Sequence, residues 1–257
     1  MSNNGSEGDV VDAIQPYSMH VSARYLDLTK RKLQLTRLPR EPSLPEHDHW
    51  RYGTPKTILE PLIDFWLEQY DWRTQEATLN NRLPQFRTTI ALPNRNADEE
   101  TTRSFRIHFV HKRCQNRNAI PLLFCHGWPG SFLEVCKIID ALTEPDFAAL
   151  PPGARVPVGF HVVVPSIPGF GFSDASVDDG FGLEETAAVF DALMRQLGYD
   201  QYVAHGSECS CLAIHTISPN VPPPTLQTSF VAAVKYQIAR LSSARLSRLS
   251  FGYTPSE

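Results

Sequence analysis

Apolar positions along this chain follow two rhythms. Between residues 106 and 206, short apolar runs bounded by Gly or Pro alternate with stretches in which apolar residues recur every three or four positions. Pro121–Cys125, Phe160–Pro165 and Gln201–His205 are runs of the first kind and predict buried strands of a parallel sheet. Arg106–Lys112 alternates as a strand does, which puts His108 and His111, three apart, on opposite faces as sheet-surface histidines. Phe132–Leu142 and Leu183–Tyr199 show the helical rhythm, and Gly198 is placed to end the second helix. The order of elements predicts an α/β domain with a mostly parallel sheet and flanking helices.

Upstream the pattern is helical. Ile58, Leu59, Leu62, Ile63, Phe65, Trp66 and Leu67 cover one broad face, and Gln75–Leu83 reads as a second short helix broken at Pro84. The aromatic residues of this stretch suggest packing against a neighbouring domain more than a ligand box. Tyr25–Arg40 is a short amphipathic segment stopped by Pro39. Residues 1–20 read as a polar, disordered lead-in. Near the other end, Val231, Val234, Ile238, Leu241, Leu246 and Leu249 lie among Lys and Arg, which fits an amphipathic helix. Such a helix suits either a lid segment or a membrane contact.

Composition narrows the class. The 257 residues carry 42% hydrophobic and 20% charged residues, ordinary for a globular chain with a sizeable core. The formal net charge of -4 gives no case for nucleic acid. No run reaches the roughly 18 apolar residues of a membrane span, and residues 1–20 lack the apolar core of a signal peptide. The five cysteines are odd in number and none pair as Cys-x-x-Cys, which argues against a disulfide framework and a zinc site. A reducing, cytoplasmic compartment is the expectation.

Two turns carry candidate chemistry. His126-Gly127-Trp128-Pro129-Gly130 follows the Pro121–Cys125 strand. Loops at the carboxyl ends of such strands hold the ligand sites of open α/β sheets. Backbone N–H groups there are suited to face a developing oxyanion. Gly206-Ser207-Glu208-Cys209-Ser210 follows the Gln201–His205 strand with small residues around a central Glu208, the pattern of a nucleophile elbow. A carboxylate attacks carbon directly and forms an ester. Shifting the register centres Ser207 or Cys209 instead. The Gly-Phe-Gly of residues 169–171 lacks the third Gly and the Lys of a phosphate cradle.

Taken in order, Trp50-Arg-Tyr-Gly, Tyr70-Asp-Trp-Arg with Glu76 and Asn80, Phe86, Ile107-His-Phe-Val-His, His126-Gly-Trp-Pro-Gly and Pro168-Gly-Phe-Gly-Phe-Ser resemble the microsomal-type epoxide hydrolases of the α/β-hydrolase superfamily. The resemblance covers roughly residues 25–230. It implies residues 21–105 as the family's N-terminal segment, 106–230 as a partial hydrolase core and 231–257 as a lid segment or tail. It also implies hydrolysis of an epoxide to a vicinal diol through a carboxylate ester, without metal or organic cofactor. Glu208 then holds the nucleophile position, where the family has Asp. Cys209 stands where the family has Trp, and Ser210 where it has Gly. His126, Gly127, Trp128, Pro129 and Cys209 form the oxyanion and substrate pocket.

The departures shape the expectation. Cys211-Leu-Ala-Ile-His-Thr216 resembles the family's next strand, so a helix is missing after the elbow. The family's acid and base histidine correspond to positions beyond Glu257; His215, Tyr236 and Tyr253 do not match its base or lid tyrosines. Weak or absent turnover is the expectation. Alternatives are an esterase or lactonase using Ser207 or Cys209, and a non-catalytic remnant or interaction protein. The expected partner is a small-molecule epoxide; a second copy of the chain is a further candidate.

Overall fold

The computed structural model describes residues 13–93, 102–116, 118–145, 159–177 and 180–206, and the backbone of 230–234. The chain divides into two compact units. One comprises Ser18–Arg82; the other holds Met1–Tyr17 and Leu83–Glu257.

The Ser18–Arg82 unit contains α1 (Ala23–Gln34), α2 (Lys56–Glu68) and α3 (Trp72–Arg82). Its start is pinned to α3 by side chains. Asn80 Oδ1 accepts the Met19 N–H at 2.9 Å, and Asn80 Nδ2 donates to the Met19 carbonyl at 2.9 Å. Glu76, 5% exposed, accepts the Val21 N–H at 2.6 Å and the Trp72 indole N–H at 3.0 Å. Arg73 donates to Glu76 and to the Val21 carbonyl. Burial pushes the Glu76 carboxyl up, but the Val21 amide, Arg73 and Trp72 outweigh it and hold its pKa down at about 2. On α2, Ile58, Leu62, Phe65 and Trp66 are exposed.

The second unit is built on one sheet. Its strands are β1 (Gln15–Tyr17), β2 (Gln85–Pro93), β3 (Thr102–Lys112), β4 (Ile120–Cys125), β5 (Phe160–Pro165), β6 (Tyr202–Gly206) and β7 (Phe230–Val234), in the order β1-β2-β3-β5-β4-β6-β7. The sheet is mixed: β5, β4 and β6 run parallel, and every other neighbouring pair is antiparallel. The expected parallel sheet is therefore its centre. That centre is where the apolar runs are continuous, because strands covered on both faces need apolar side chains on both.

Helix α5 (Leu183–Gln196) covers one face with Val189, Phe190, Leu193 and Met194, against Ile107, Phe109, Leu123, Val163 and Ala204. Glu185 accepts the Gly182 N–H at 2.9 Å and caps the helix start. Gly198, at φ +83°, ends it: the Tyr199 N–H returns to the Met194 carbonyl at 2.9 Å.

Three expectations need correcting. Residues 15–17, read as disordered lead-in, pair with β2 as β1, and Tyr17 packs edge-on against His108. The Phe132–Leu142 helix is a 3-10 turn over Phe132–Lys137 followed by α4 (Ile139–Thr143); the β-branched Val135, Ile138 and Ile139 weaken a continuous helix there. Residues 230–234 form a strand beside β6 and not the start of an amphipathic helix.

Candidate active site

The three parallel strands end together. Along the ladders Cys125 pairs with Gly206, and Leu123 with both Val163 and Ala204. The chain thus leaves β4 into residue 126, β5 into residue 166 and β6 into residue 207 at one edge. The connection from β4 goes to β5 on one side, and the next strand, β6, lies on the other side of β4. Such a reversal opens a crevice at the carboxyl ends of the strands.

His126 holds two of these loops together. It is fully buried. Its Nε2 accepts the Ile167 N–H at 3.2 Å, and its Nδ1–H donates to the Gly127 carbonyl at 3.0 Å. Burial lowers its pKa, which suits a ring whose Nε2 acts as an acceptor. Gly127 is buried, whereas Trp128 is 65% exposed. The Trp128–Pro129 peptide is cis. At Gly130 a Cβ would run into the Glu134 carboxylate, so the turn admits no side chain there without displacing Glu134.

The loop after β5 is fastened to β3. His108 and Ser166 are both fully buried. The Ser166 hydroxyl donates to His108 Nδ1 at 2.9 Å, and His108 Nε2–H donates to Gln85 Oε1 at 3.0 Å. Ser173 Oγ accepts the His108 N–H at 3.0 Å and donates to the Ser166 carbonyl at 2.8 Å. Outside this ring, Arg106 forms a two-toothed pair with Asp174 at 3.0 and 3.1 Å, and Arg87 donates to the Phe172 carbonyl. Gly171, at φ +53°, is required: a Cβ there would sit 2.6 Å from Ser166 Oγ.

The two strand histidines are not on the sheet surface. Burial lowers the pKa of His108 to about 3 and that of His111 to about 4, so both are neutral near pH 7. His111 Nε2 lies 3.0 Å from Tyr199 Oη. Polar residues in a strand read as solvent-facing; here distant partners satisfy them instead. The Gly-Phe-Gly pattern marked the turn that seats Ser166, but nothing local to residue 108 marked its partners.

Ser207, Glu208 and Cys209 lie outside the described residues, as does the amphipathic stretch after residue 234. The strand that delivers them is described, and its last residue, Gly206, stands beside Cys125. Among the described residues no three His, Cys, Asp or Glu side chains gather as a metal site requires. A cavity of about 480 Å³, lined by Phe86, His111, Arg113 and Leu197, opens at the opposite edge of the sheet.

Comparison with known proteins agrees with this architecture. A family model for the epoxide hydrolase N terminus matches residues 14–135, and one for the alpha/beta hydrolase fold matches residues 120–207. The chain belongs to the epoxide hydrolases of the α/β-hydrolase superfamily. Epoxide hydrolase 1 of Sus scrofa is 33% identical over 251 residues, covering 95% of this chain and 51% of the pig protein. Juvenile hormone epoxide hydrolase 1 of Ctenocephalides felis is 32% identical over 226 residues, covering 86% of this chain and 44% of the flea protein. The solved structure of the Aspergillus niger epoxide hydrolase superposes with a TM-score of 0.61 at 30% identity, covering 81% of this chain and 50% of that one. The chain spans about half the length, or less, of the curated epoxide hydrolases it matches.

Proposed function

We propose that this chain carries the ester-forming half of an epoxide-hydrolysing site, with Glu208, two residues beyond β6, as its reactive centre. The observation supporting this reading is the pairing of Cys125 with Gly206, so that the chain enters residue 126 and residue 207 from adjacent points.

In this reading the Glu208 carboxylate attacks an epoxide carbon. The ring C–O bond breaks, and the freed oxygen takes a proton. The product is a glycol monoester of Glu208. Water then adds to the ester carbonyl carbon, the diol leaves, and the carboxylate returns. The oxyanion of that second step falls to backbone N–H groups of the Trp128 loop and of Cys209, with His126 fixing the loop's shape. Compared with an aspartate, the extra methylene moves the attacking oxygens out by about 1.5 Å, and misplacement of about 1 Å costs on the order of a hundredfold.

Three described histidines lie at this edge: His108 and His126 spend both ring nitrogens on fixed partners, and His205 packs its ring 4.9 Å from that of Phe124, with burial lowering its pKa. Neither His108 nor His126 is free to activate water. The substrate is a small epoxide, and the reaction uses no metal or organic cofactor. A cytoplasmic setting fits the cysteine usage; among the described residues no helix is long and apolar enough to cross a membrane.

Intact-mass spectrometry of the chain incubated with styrene oxide tests this. One added epoxide mass is expected, mapped to the peptide holding Glu208 and lost in Glu208→Gln. Label on Ser207 or Cys209, or no label, overturns it.

A further inference from the structure

The cavity of about 480 Å³ lies at the sheet edge away from the proposed site and has the ordinary size of a small-molecule site. Strand alternation builds it. Phe109 points into the core beneath α5, so His111, two residues on, shares that face. His111 lines the cavity together with Arg113, just past the end of β3. Ile14, Pro84, Phe86 and Leu197 form its apolar wall. Phe86 stacks on Phe109 at 5.7 Å, and the His111 N–H donates to the Pro84 carbonyl at 3.0 Å, so the wall is held in place.

The polar end is equally well fixed. Tyr199 Oη lies 3.0 Å from His111 Nε2, and the Tyr199 ring stacks on His161 at 5.9 Å. His161 Nδ1 in turn accepts the Cys114 N–H at 3.1 Å. Burial keeps His111 neutral near pH 7 and raises the Tyr199 pKa, so neither ring carries charge there. Lys112 borders the cavity but spends its ammonium on Asp140 at 2.7 Å and Glu144 at 2.9 Å. Among the described residues at this cavity, Arg113 is left as the cation without a carboxylate partner. It is exposed, and it donates to the Tyr199 hydroxyl. That bond leaves other guanidinium N–H groups to pair, side by side, with a carboxylate.

We propose that this cavity is a separate ligand site for a small aryl carboxylate, whose carboxylate pairs with Arg113 and whose ring lies against Phe86 and Leu197. Arg113 repels an amine. A bare inorganic anion leaves the apolar wall uncovered. The rings of Phe86, His111 and Tyr199 offer edges and faces to an aromatic guest. The proposal does not rest on the epoxide chemistry.

Isothermal titration calorimetry of the full chain with sodium phenylacetate tests it. Saturable binding is expected, with a Kd on the order of 0.1–1 mM. Phenylacetamide, of similar shape but uncharged, binds roughly tenfold more weakly or worse, and so does acetate, which lacks the ring. Arg113→Gln weakens phenylacetate binding by roughly tenfold or more. Leu197→Ser weakens it severalfold, with an unchanged circular dichroism spectrum. Lys137→Gln, an exposed cation elsewhere, and Trp128→Ala, at the opposite edge of the sheet, leave it unchanged. No saturable binding, equal binding of phenylacetamide, or binding that survives Arg113→Gln or Leu197→Ser overturns the proposal. So does loss of binding in Lys137→Gln, which reports charge alone, or in Trp128→Ala, which assigns the ligand to the crevice at the other edge.

Discussion

Cys125 and Gly206 face one another at the ends of parallel β4 and β6. They lie far apart in sequence, yet this pairing makes the chain leave β4 into the His126–Gly130 loop and leave β6 after Gly206 at a common edge. The proposed chemistry depends on that shared edge, and the surrounding hydrogen bonds hold the loops in place.

The buried His126 is the first such tie. Replacing it with Ala removes the acceptor of the Ile167 N–H and the donor to the Gly127 carbonyl, and leaves a cavity. A loss of about 2–4 kcal/mol in urea unfolding is expected. Ester formation at residue 208 is expected to fall in His126→Ala even at temperatures where the chain stays folded.

Gly171 combines a left-handed backbone with the close approach of Ser166 Oγ. Gly171→Ala is therefore expected to cost more than the roughly 1 kcal/mol of backbone strain alone. Thermal unfolding measures this. Gly180→Ala is the control, since it shares a positive φ but has nothing within 4 Å of the added Cβ.

Acid should loosen the sheet unit through its buried histidines. His108 is held neutral, with a folded pKa of about 3 against 6.5 for the free group. Unfolding therefore takes up a proton below pH 6.5, so stability falls as pH drops from 6.5 toward 3. The loss is about 2 kcal/mol at pH 5 from His108, with a similar contribution from His111, whose folded pKa is about 4. His108→Gln is expected to be less stable at pH 7.5 but to show a shallower fall in denaturant midpoint between pH 6.5 and 4.5.

Glu76 acts lower on the pH scale. Its folded pKa is about 2 against 4.5, so its contribution is complete above pH 4.5 and is lost as pH falls toward 2. Glu76→Ala strands the Val21 N–H and Arg73, and a cost on the order of 2–3 kcal/mol is expected. Faster amide exchange at Met19 and Val21 would show the strap at residues 18–22 coming off α3.

Legibility in the sequence followed local pattern. β4, β5 and α5 were readable because continuous apolar runs and three-to-four spacing are properties of single segments. β2 was not, since Pro84 read as a breaker and Gln85–Pro93 mixes polar and apolar residues that only the antiparallel ladder with β3 explains. His108 was misplaced for a related reason: its partners Gln85 and Ser166 lie 23 and 58 residues away. The His126–Gly130 loop stood out as a motif, but its start beside Gly206, the end of β6, is a matter of strand order, which no motif encodes.

The most direct measurement follows the oxygen. The chain is incubated in H₂¹⁸O with less than one equivalent of epoxide until diol is released, and the peptide holding Glu208 and the diol are both weighed. Attack by Glu208 predicts ¹⁸O in the Glu208 carboxylate and an unlabelled diol from the first turnover. An ¹⁸O-labelled diol with an unlabelled Glu208 peptide would mean that water attacks the epoxide directly, and would contradict the ester mechanism.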